Sequence, residues 1–148
     1  MLEDDPMDPK LYEVPYAFGA HMGWRMLEWS DGYARFDMPL EPFHMNRHGN
    51  PHGGIHAALL DTAMGYAGCW TGDADRQQMA LTLSLNVQYL SRPHGECLIA
   101  EGHKTGGGRS TFFAQAQIVD NTGELIAKGT GVFRYRKGAS SGPSVSAQ

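Results

Sequence analysis

The alternation of apolar and polar positions divides the chain into two strands near its start, one long helix, and further strands towards its end. Residues 24–29 and 33–40 are predicted to be strands, because a turn signal at residues 30–32 separates them. Residues 41–54 contain prolines and glycines that interrupt any regular period, which predicts a loop. The chain is therefore expected to enter its helix from an irregular segment.

Residues 55–70 carry apolar side chains at the helical spacing i, i+3, i+4 and i+7, which predicts one long helix. Gly65 and Gly68 lie on its second face and predict the close approach of another backbone or of a ligand. The predicted core face comprises Ile55, Ala58, Leu59, Thr62, Ala63, Tyr66 and Trp70, and the second face comprises Ala57, Asp61, Met64, Gly65 and Gly68.

Strict alternation over residues 81–89 predicts a strand with one buried face and one polar face. Turn signals separate further strands at residues 96–104, 110–119 and 125–136, and the short connections predict a four-stranded antiparallel meander. Because such a sheet must cover one apolar face, we predict an α+β fold with an antiparallel β-sheet wrapped around the one long central α-helix. The face predicted to be buried holds Leu81, Leu83, Leu85, Val87 and Tyr89, and the polar face holds Thr82, Ser84, Asn86 and Gln88.

Length and charge narrow the class of protein. The 148 residues suit one domain, predicted at residues 11–137 between a flexible leader (1–10) and a disordered tail (138–148). The net charge of −4 argues against a nucleic-acid partner. The chain shows no secretory signal and no apolar run near the roughly 18 residues of a membrane span, which predicts a cytoplasmic protein without membrane contact. Cys69 and Cys97 are predicted to be free thiols.

Four histidines recur at every fourth position before and into the helix. Glycines and prolines lie between them, so the backbone cannot keep a helical period and the spacing does not form a stripe of metal ligands. We therefore expect neither a metal site nor a cofactor. The four are His44, His48, His52 and His56.

Candidate chemistry is concentrated at the start of the helix. Gly53 and Gly54 lie where the first backbone N–H groups have no partner within the helix and where the helix dipole is positive. Since glycine lacks a Cβ, a ligand can approach this backbone, and the N–H groups can stabilise an oxyanion. Asp61 lies two turns further on, off the predicted core face. A solvated aspartate and a catalytic carboxylate both fit that position.

A longer motif contains these residues. Residues 46–54 follow the pattern Asn-Arg-x-Gly-x-x-His-Gly-Gly, and the helix continues with Leu-Leu-Asp-Thr-Ala-Met-Gly. The pattern resembles the hotdog-fold acyl-CoA thioesterases of the phenylacetate-degradation (PaaI-like) group. Residues 82–93 are similar to the central strand of that family, and residues 108–110 and 123–129 to its last hairpins. The resemblance covers residues 17–136 and implies the hotdog fold.

The resemblance also implies roles for individual residues. Asp61 would act as nucleophile or general base, and the Gly53 N–H would polarise the thioester carbonyl. Asn46 would orient the water or the carbonyl, and Thr82 would help to position the water. Asn46 and Gly53 of one subunit would face Asp61 and Thr82 of the partner, in a homodimer or a homotetramer that is a dimer of dimers. Further substrate contacts would come from His52, Gly54, Met64 and Arg109.

The implied reaction is hydrolysis of an acyl-CoA thioester to a carboxylic acid and coenzyme A, which needs no cofactor. Two other functions stay open: a hotdog hydratase or dehydratase that pairs His52 with Asp61, and a non-catalytic acyl-CoA-binding module. Residues 106–109 are predicted to be a hairpin turn rather than a phosphate loop. The candidate cations for the coenzyme A phosphates are Arg92, Lys104, Arg109, Arg134 and Arg136.

Overall fold

A computed structural model describes residues 13–137; the predicted leader (1–10) and tail (138–148) lie outside the described residues. A 3-10 turn (Pro42–His44) precedes the long helix, which begins at Gly53 rather than at residue 55. The elements in chain order are α1 (Ala17–Met22), β1 (Arg25–Ser30), β2 (Tyr33–Pro39), α2 (Gly53–Cys69), β3 (Ala80–Tyr89), β4 (Cys97–Gly107), β5 (Thr111–Asp120) and β6 (Leu125–Tyr135).

The strands form one sheet in the order β1-β2-β4-β5-β6-β3, and every neighbouring pair is antiparallel. Helix α2 packs against the sheet and contacts all of its strands. The apolar side chains between helix and sheet, among them Leu59, Leu60 and Phe112, are completely buried. This arrangement confirms the predicted α+β fold, in which a single sheet wraps around one long helix.

The predicted four-stranded meander is wrong in one respect. Strand β3 pairs with β6, and β4 lies between β2 and β5. The segment that follows β3 first runs beside β6, because the N–H groups of Leu90 and Ser91 both donate to the carbonyl of Ile126. The short connection from β3 therefore leads to β4, which is not its neighbour in the sheet, and β3 lies at an edge.

Glycines set the distance between α2 and the sheet. A Cβ on Gly102 of β4 would overlap the backbone of Ala63, and a Cβ on Gly68 would overlap the ring of Phe112. The group that approaches Gly68 is thus a side chain of the same chain, which corrects the predicted approach of a second backbone or ligand. Met64, assigned to the same second face, is also completely buried. Helix α2 therefore buries a wider surface than the predicted core face.

Strand β3 does not have the buried face that its alternation predicts. Leu81 and Leu83 are 53% and 55% exposed, because β3 is an edge strand with no neighbour on one side. The pairing of β3 with β6 also shifts register between Thr82 and Ser84, as a β-bulge does. Beyond this irregularity Val87 packs against the core, while Thr82 faces the helix instead of lying with the polar row.

Candidate active site

The loop before α2 is organised by Asn46. Its Oδ1 accepts hydrogen bonds from the backbone N–H groups of His48 (2.9 Å) and Asn50 (3.2 Å). Gly49 takes a positive φ of 75° in the turn, a conformation that favours glycine. Within residues 13–137 the Nδ2 group of Asn46 makes no hydrogen bond, so this side chain still has N–H groups to donate. The loop is therefore a folded support for a donor near the start of α2.

The first turn of α2 leaves one backbone donor free. His52 caps the helix: its Nδ1 accepts from the N–H of Gly54 (2.8 Å), and its carbonyl accepts from Ile55 (2.9 Å). The N–H of Gly53 has no acceptor in the part of the chain that the structure describes. Because the helix dipole is positive at this end, the Gly53 N–H is suited to a developing negative charge on oxygen. The N–H of Gly54 is already used by the cap.

Asp61 has a single hydrogen-bond donor within residues 13–137, the hydroxyl of Thr82, at 2.7 Å from Oδ1. The irregularity in β3 turns Thr82 towards the helix and so makes this contact. Burial raises the pKa of Asp61, and the hydrogen bond from Thr82 lowers it only in part, so the pKa lies above the ordinary value for aspartic acid. The pair is a half-buried carboxylate with one oxygen held in place and a raised affinity for a proton.

Within one chain the four predicted catalytic residues form two pairs that lie apart. Asn46 and the free N–H of Gly53 lie at the start of α2, whereas Asp61 and Thr82 lie in its middle. At a rise of 1.5 Å per residue, Gly53 and Asp61 are about 12 Å apart along the helix. A carbonyl group that touches the Gly53 N–H therefore cannot touch Asp61 of the same chain.

The remaining predicted substrate contacts differ in position. Met64 lies in the core, where it cannot line an open site. Arg109 is exposed in the turn between β4 and β5. At that same end of the sheet Arg134 pairs with Leu81, the neighbour of Thr82. Arginines thus lie at the Thr82 end of β3. This region is basic although the net charge of the whole chain is −4.

The four regularly spaced histidines have four different environments. His44 is completely buried: its Nδ1 accepts from Glu41 (2.9 Å), so its Nε2–H donates to the Met22 carbonyl (2.8 Å). His52 is the helix cap, His48 is exposed, and His56 is buried. Among residues 13–137 no three His, Cys, Asp or Glu side chains are grouped as metal ligands would be.

Sequence reasoning missed Tyr89, the last residue of β3. Its hydroxyl donates to the Gly53 carbonyl at 2.8 Å. The alternation assigned Tyr89 to a buried apolar face, and no local pattern indicated that the end of β3 meets the start of α2. The meeting depends on the sheet order, because β3 reaches this position only by pairing with β6.

This geometry has counterparts in known proteins. Residues 48–127 match the family model of the thioesterase superfamily. A relative from Archaeoglobus fulgidus, whose name assigns it provisionally to the esterases, is 31% identical over 116 residues, 76% of this chain and 71% of the relative. Acyl-coenzyme A thioesterase 13 of Mus musculus is 30% identical over 95 residues, 63% of this chain and 66% of that protein. The PaaI protein of E. coli has the same fold, with a TM-score of 0.72 and 21% identity over 81% of this chain and 84% of that one.

The fold is that of a hotdog protein, and its long helix carries a free backbone N–H at its start and a half-buried carboxylate in its middle. The chain belongs to the thioesterase superfamily, since the family match covers more than half of its 148 residues. It is a thioester hydrolase, and its fold neighbours include PaaI proteins, as the motif in residues 46–68 predicted. Within residues 13–137 no helix is both long enough and apolar enough to cross a membrane.

Proposed function

We propose that this chain is an acyl-CoA thioesterase that releases a carboxylic acid and coenzyme A at a site shared between two subunits. The observation that carries the proposal is the separation of the free Gly53 N–H from the Asp61–Thr82 pair on one helix. Each group is suited to one half of thioester hydrolysis, and about 12 Å of helix separates them. A second copy of the chain supplies the missing half.

The chemistry needs only these groups. The Gly53 N–H, with the helix dipole behind it, stabilises the negative charge that develops on the thioester oxygen. The Asn46 amide, whose Oδ1 is held by the loop, donates from Nδ2 to the carbonyl or orients the water. Asp61 then takes a proton from a water that attacks the carbonyl carbon, and the C–S bond breaks so that coenzyme A leaves as its thiolate. Alternatively Asp61 attacks the carbon itself, the same thiolate leaves, and water hydrolyses the mixed anhydride to the carboxylic acid and free Asp61. Thr82 holds Oδ1 of Asp61, which leaves Oδ2 for the water or the carbonyl carbon.

The exposed edge of β3 supports the pairing of two copies. Leu81, Leu83 and Leu85 are exposed there, and an apolar unpaired edge favours association with another strand. Thr82 near one end of β3 binds Asp61, and Tyr89 at the other end binds Gly53. A two-fold axis through the middle of β3 places Asp61 of one copy beside Gly53 of the other. The resulting unit is a homodimer, either by itself or as one half of a homotetramer.

We assign the coenzyme A phosphates to the basic end of the sheet. Arg109 is exposed in the β4–β5 turn, and Arg134 and Arg136 lie near it, because the N–H of Tyr135 donates to the Ser110 carbonyl. This end is next to Thr82, so the phosphates would extend away from the reacting carbonyl. Arg92 lies beyond the opposite end of β3 and would belong to the partner's half of the site.

The same inference places the enzyme in the cytoplasm, where coenzyme A thioesters and free thiols coexist. Cys69 and Cys97, the only cysteines of the chain, are both unpaired. Free cysteines are typical of a reducing compartment. Acyl-CoA is the one partner that the site requires besides a second copy of the chain.

The proposal is tested by the release of free thiol from a panel of aryl-acyl and medium-chain acyl-CoA esters. We expect release with the wild type and almost none with Asp61→Asn. A hydratase or dehydratase would change the acyl group and leave the thioester intact, and a binding module would bind the esters without turnover. Either of these results would overturn the proposed hydrolysis.

The shared site is tested with a mixed dimer of two impaired variants, Asn46→Ala and Asp61→Asn, co-expressed with different tags. By two-fold symmetry one site of this dimer carries both substitutions and the other carries neither. We expect about half of the wild-type activity. If each chain held a complete site, the mixed dimer would only average its two parents, and that result would rule out a shared site.

The coenzyme A subsite is tested by comparing Arg109→Ala with Arg25→Ala on the distant edge strand β1. Loss of Arg109 should raise KM for acyl-CoA about fivefold with little change in kcat, because phosphate binding is the same in ground and transition states. Arg25→Ala should leave both constants unchanged. An unaltered KM in Arg109→Ala would remove this arginine from the site.

A further inference from the structure

Tyr89 contacts the first residue of α2 in two ways. Its hydroxyl donates to the Gly53 carbonyl at 2.8 Å, and its ring covers the Cα of Gly53 so closely that an added Cβ would lie 3.3 Å from three ring-end atoms. Tyr89 is nevertheless 55% exposed. Burial in the core therefore does not fix the position of Tyr89. Its hydrogen bond and ring contact with Gly53 hold it at the start of α2.

The contact fixes one peptide plane from both sides. The Gly53 carbonyl and the Gly54 N–H belong to the same peptide group. Tyr89 donates to the carbonyl, and the Nδ1 of His52 accepts from the N–H at 2.8 Å. Two adjacent glycines have wide conformational freedom, so an unrestrained Gly53 could rotate its N–H away from the site. The Gly53 N–H belongs to the preceding peptide group, whose His52 carbonyl accepts from the N–H of Ile55 at 2.9 Å. Because both peptide groups that flank Gly53 are then held, its N–H keeps one direction.

His56 packs near the ring of Tyr89. The two ring centroids are 5.9 Å apart, and His56 is only 5% exposed. Neither of its nitrogens has a hydrogen-bond partner within residues 13–137, and burial lowers the pKa of His56. The imidazole is therefore neutral at pH 7, which avoids a positive charge one turn from the positive end of the helix dipole.

We propose that Tyr89 is a positioning residue that aims the Gly53 N–H at the thioester oxygen by clamping the Gly53–Gly54 peptide together with His52. The inference rests on the proposed function, because it assigns Tyr89 a part in stabilising the oxyanion of that reaction. Tyr89 does not touch the substrate in this role; it acts through Gly53. Its loss should therefore weaken the transition state while leaving the binding of coenzyme A unchanged.

The chain contains a matched control at the other end of the same helix. The hydroxyl of Tyr135 donates to the Gly68 carbonyl, also at 2.8 Å. Tyr89→Phe and Tyr135→Phe thus each remove one phenol hydroxyl from one glycine carbonyl of α2, and each keeps the aromatic ring. Both variants lose one hydrogen bond of the same type, but only Tyr89→Phe releases the peptide beside the proposed oxyanion donor.

The first test is steady-state kinetics by thiol release from an acyl-CoA ester that the wild type hydrolyses. Tyr89→Phe should lower kcat about five- to tenfold, the effect of one ordinary hydrogen bond, with KM changed less than about twofold. Tyr135→Phe should retain wild-type kcat while its melting temperature falls at least as much as that of Tyr89→Phe, because the hydrogen bond of Tyr135 is the more buried of the two. Equal kcat in the two variants would show that the Tyr89 hydroxyl is only structural and would overturn the proposal.

The second test does not depend on turnover. Amide hydrogen exchange followed by NMR should be faster at Gly54 in Tyr89→Phe than in the wild type, by about five- to tenfold, and unchanged there in Tyr135→Phe. Unchanged exchange at Gly54 in Tyr89→Phe would exclude the clamp whatever the activity. If the wild type released no thiol from any ester while Gly54 exchange responded as expected, the clamp would stand and the proposed hydrolysis would fail, so the two failures are distinguishable.

Discussion

Asp120 and Asp61 differ in burial and in the number of hydrogen bonds they accept, and the difference gives the two carboxylates opposite pKa shifts. Asp120, at the end of β5, is almost completely buried. Asp61, in the middle of α2, is half-buried and receives one hydrogen bond, from Thr82. The groups that donate to Asp120 are the backbone N–H groups of His94, Gly95, Thr122 and Glu124 and the hydroxyl of Thr122.

The supply of donors decides the charge state of each carboxylate. Burial raises the pKa of Asp120, but the hydrogen bonds from Thr122, Gly95 and His94 outweigh burial and hold that pKa well below its ordinary value. For Asp61, burial outweighs the single hydrogen bond, and the pKa is raised. A carboxylate with all its acceptor positions filled stays ionised except in acid, and Asp120 in this state joins two turns. A carboxylate with few donors keeps a free oxygen and a higher affinity for a proton, which suits a base or nucleophile.

The largest expected effect that distinguishes the role of Asp61 from that of Asp120 is the loss of activity in Asp61→Asn. The amide has the same shape but cannot take a proton or attack a carbonyl carbon effectively, so kcat should fall about 10²–10⁴-fold. The melting temperature should change little, because within residues 13–137 only one hydrogen bond involves this side chain. Thiol release and thermal unfolding of one preparation measure both quantities. A folded Asp61→Asn with wild-type kcat would end the catalytic assignment.

Asp120→Asn should give the opposite result. The amide nitrogen cannot accept from the backbone N–H groups that now converge on the carboxylate, so buried donors lose their partner and the melting temperature should fall. The kcat of the folded fraction should stay at the wild-type level, since none of the hydrogen bonds of Asp120 reaches Gly53, Asp61 or Thr82. Thermal unfolding and kinetics normalised to the folded fraction check this.

Lowering the pH should weaken the hydrogen bonds that Asp120 accepts, because its carboxylate becomes protonated. Because the folded pKa of Asp120 is depressed, its contribution to stability is complete above the ordinary pKa of aspartic acid and is lost as the pH falls towards the folded value. The wild type should therefore lose stability on acidification below about pH 4, and Asp120→Asn should show a flatter dependence there. Urea unfolding at a series of pH values measures this slope. Identical slopes in both proteins would contradict the stabilising role of the ionised Asp120 side chain.

The comparison also shows what sequence reasoning can reach. Local patterns predicted α2, the glycines at its start and Asp61 on its exposed side, because helical spacing and residue type are properties of neighbouring positions. The edge position of β3, its bulge at Thr82 and the contact of Tyr89 with Gly53 depend on which strands pair. Asp120 has the pattern of a turn residue, and its sequence position alone does not show that two of its donors come from a loop about 25 residues away. Contacts between segments distant in sequence set the chemistry of both aspartates.

The smallest expected effect tests the single donor of Asp61. Thr82→Val keeps the shape of the side chain but removes the hydrogen bond that lowers the pKa of Asp61, so that pKa should rise further. If Asp61 acts as an anion, kcat/KM increases with pH as it ionises, and the acidic limb of the profile should move to higher pH by up to about one unit. Thr82→Ser keeps the hydroxyl and should retain the wild-type limb. A pH profile of kcat/KM for the three proteins decides the matter, because an unshifted limb in Thr82→Val would mean that the ionisation that limits activity belongs to another group.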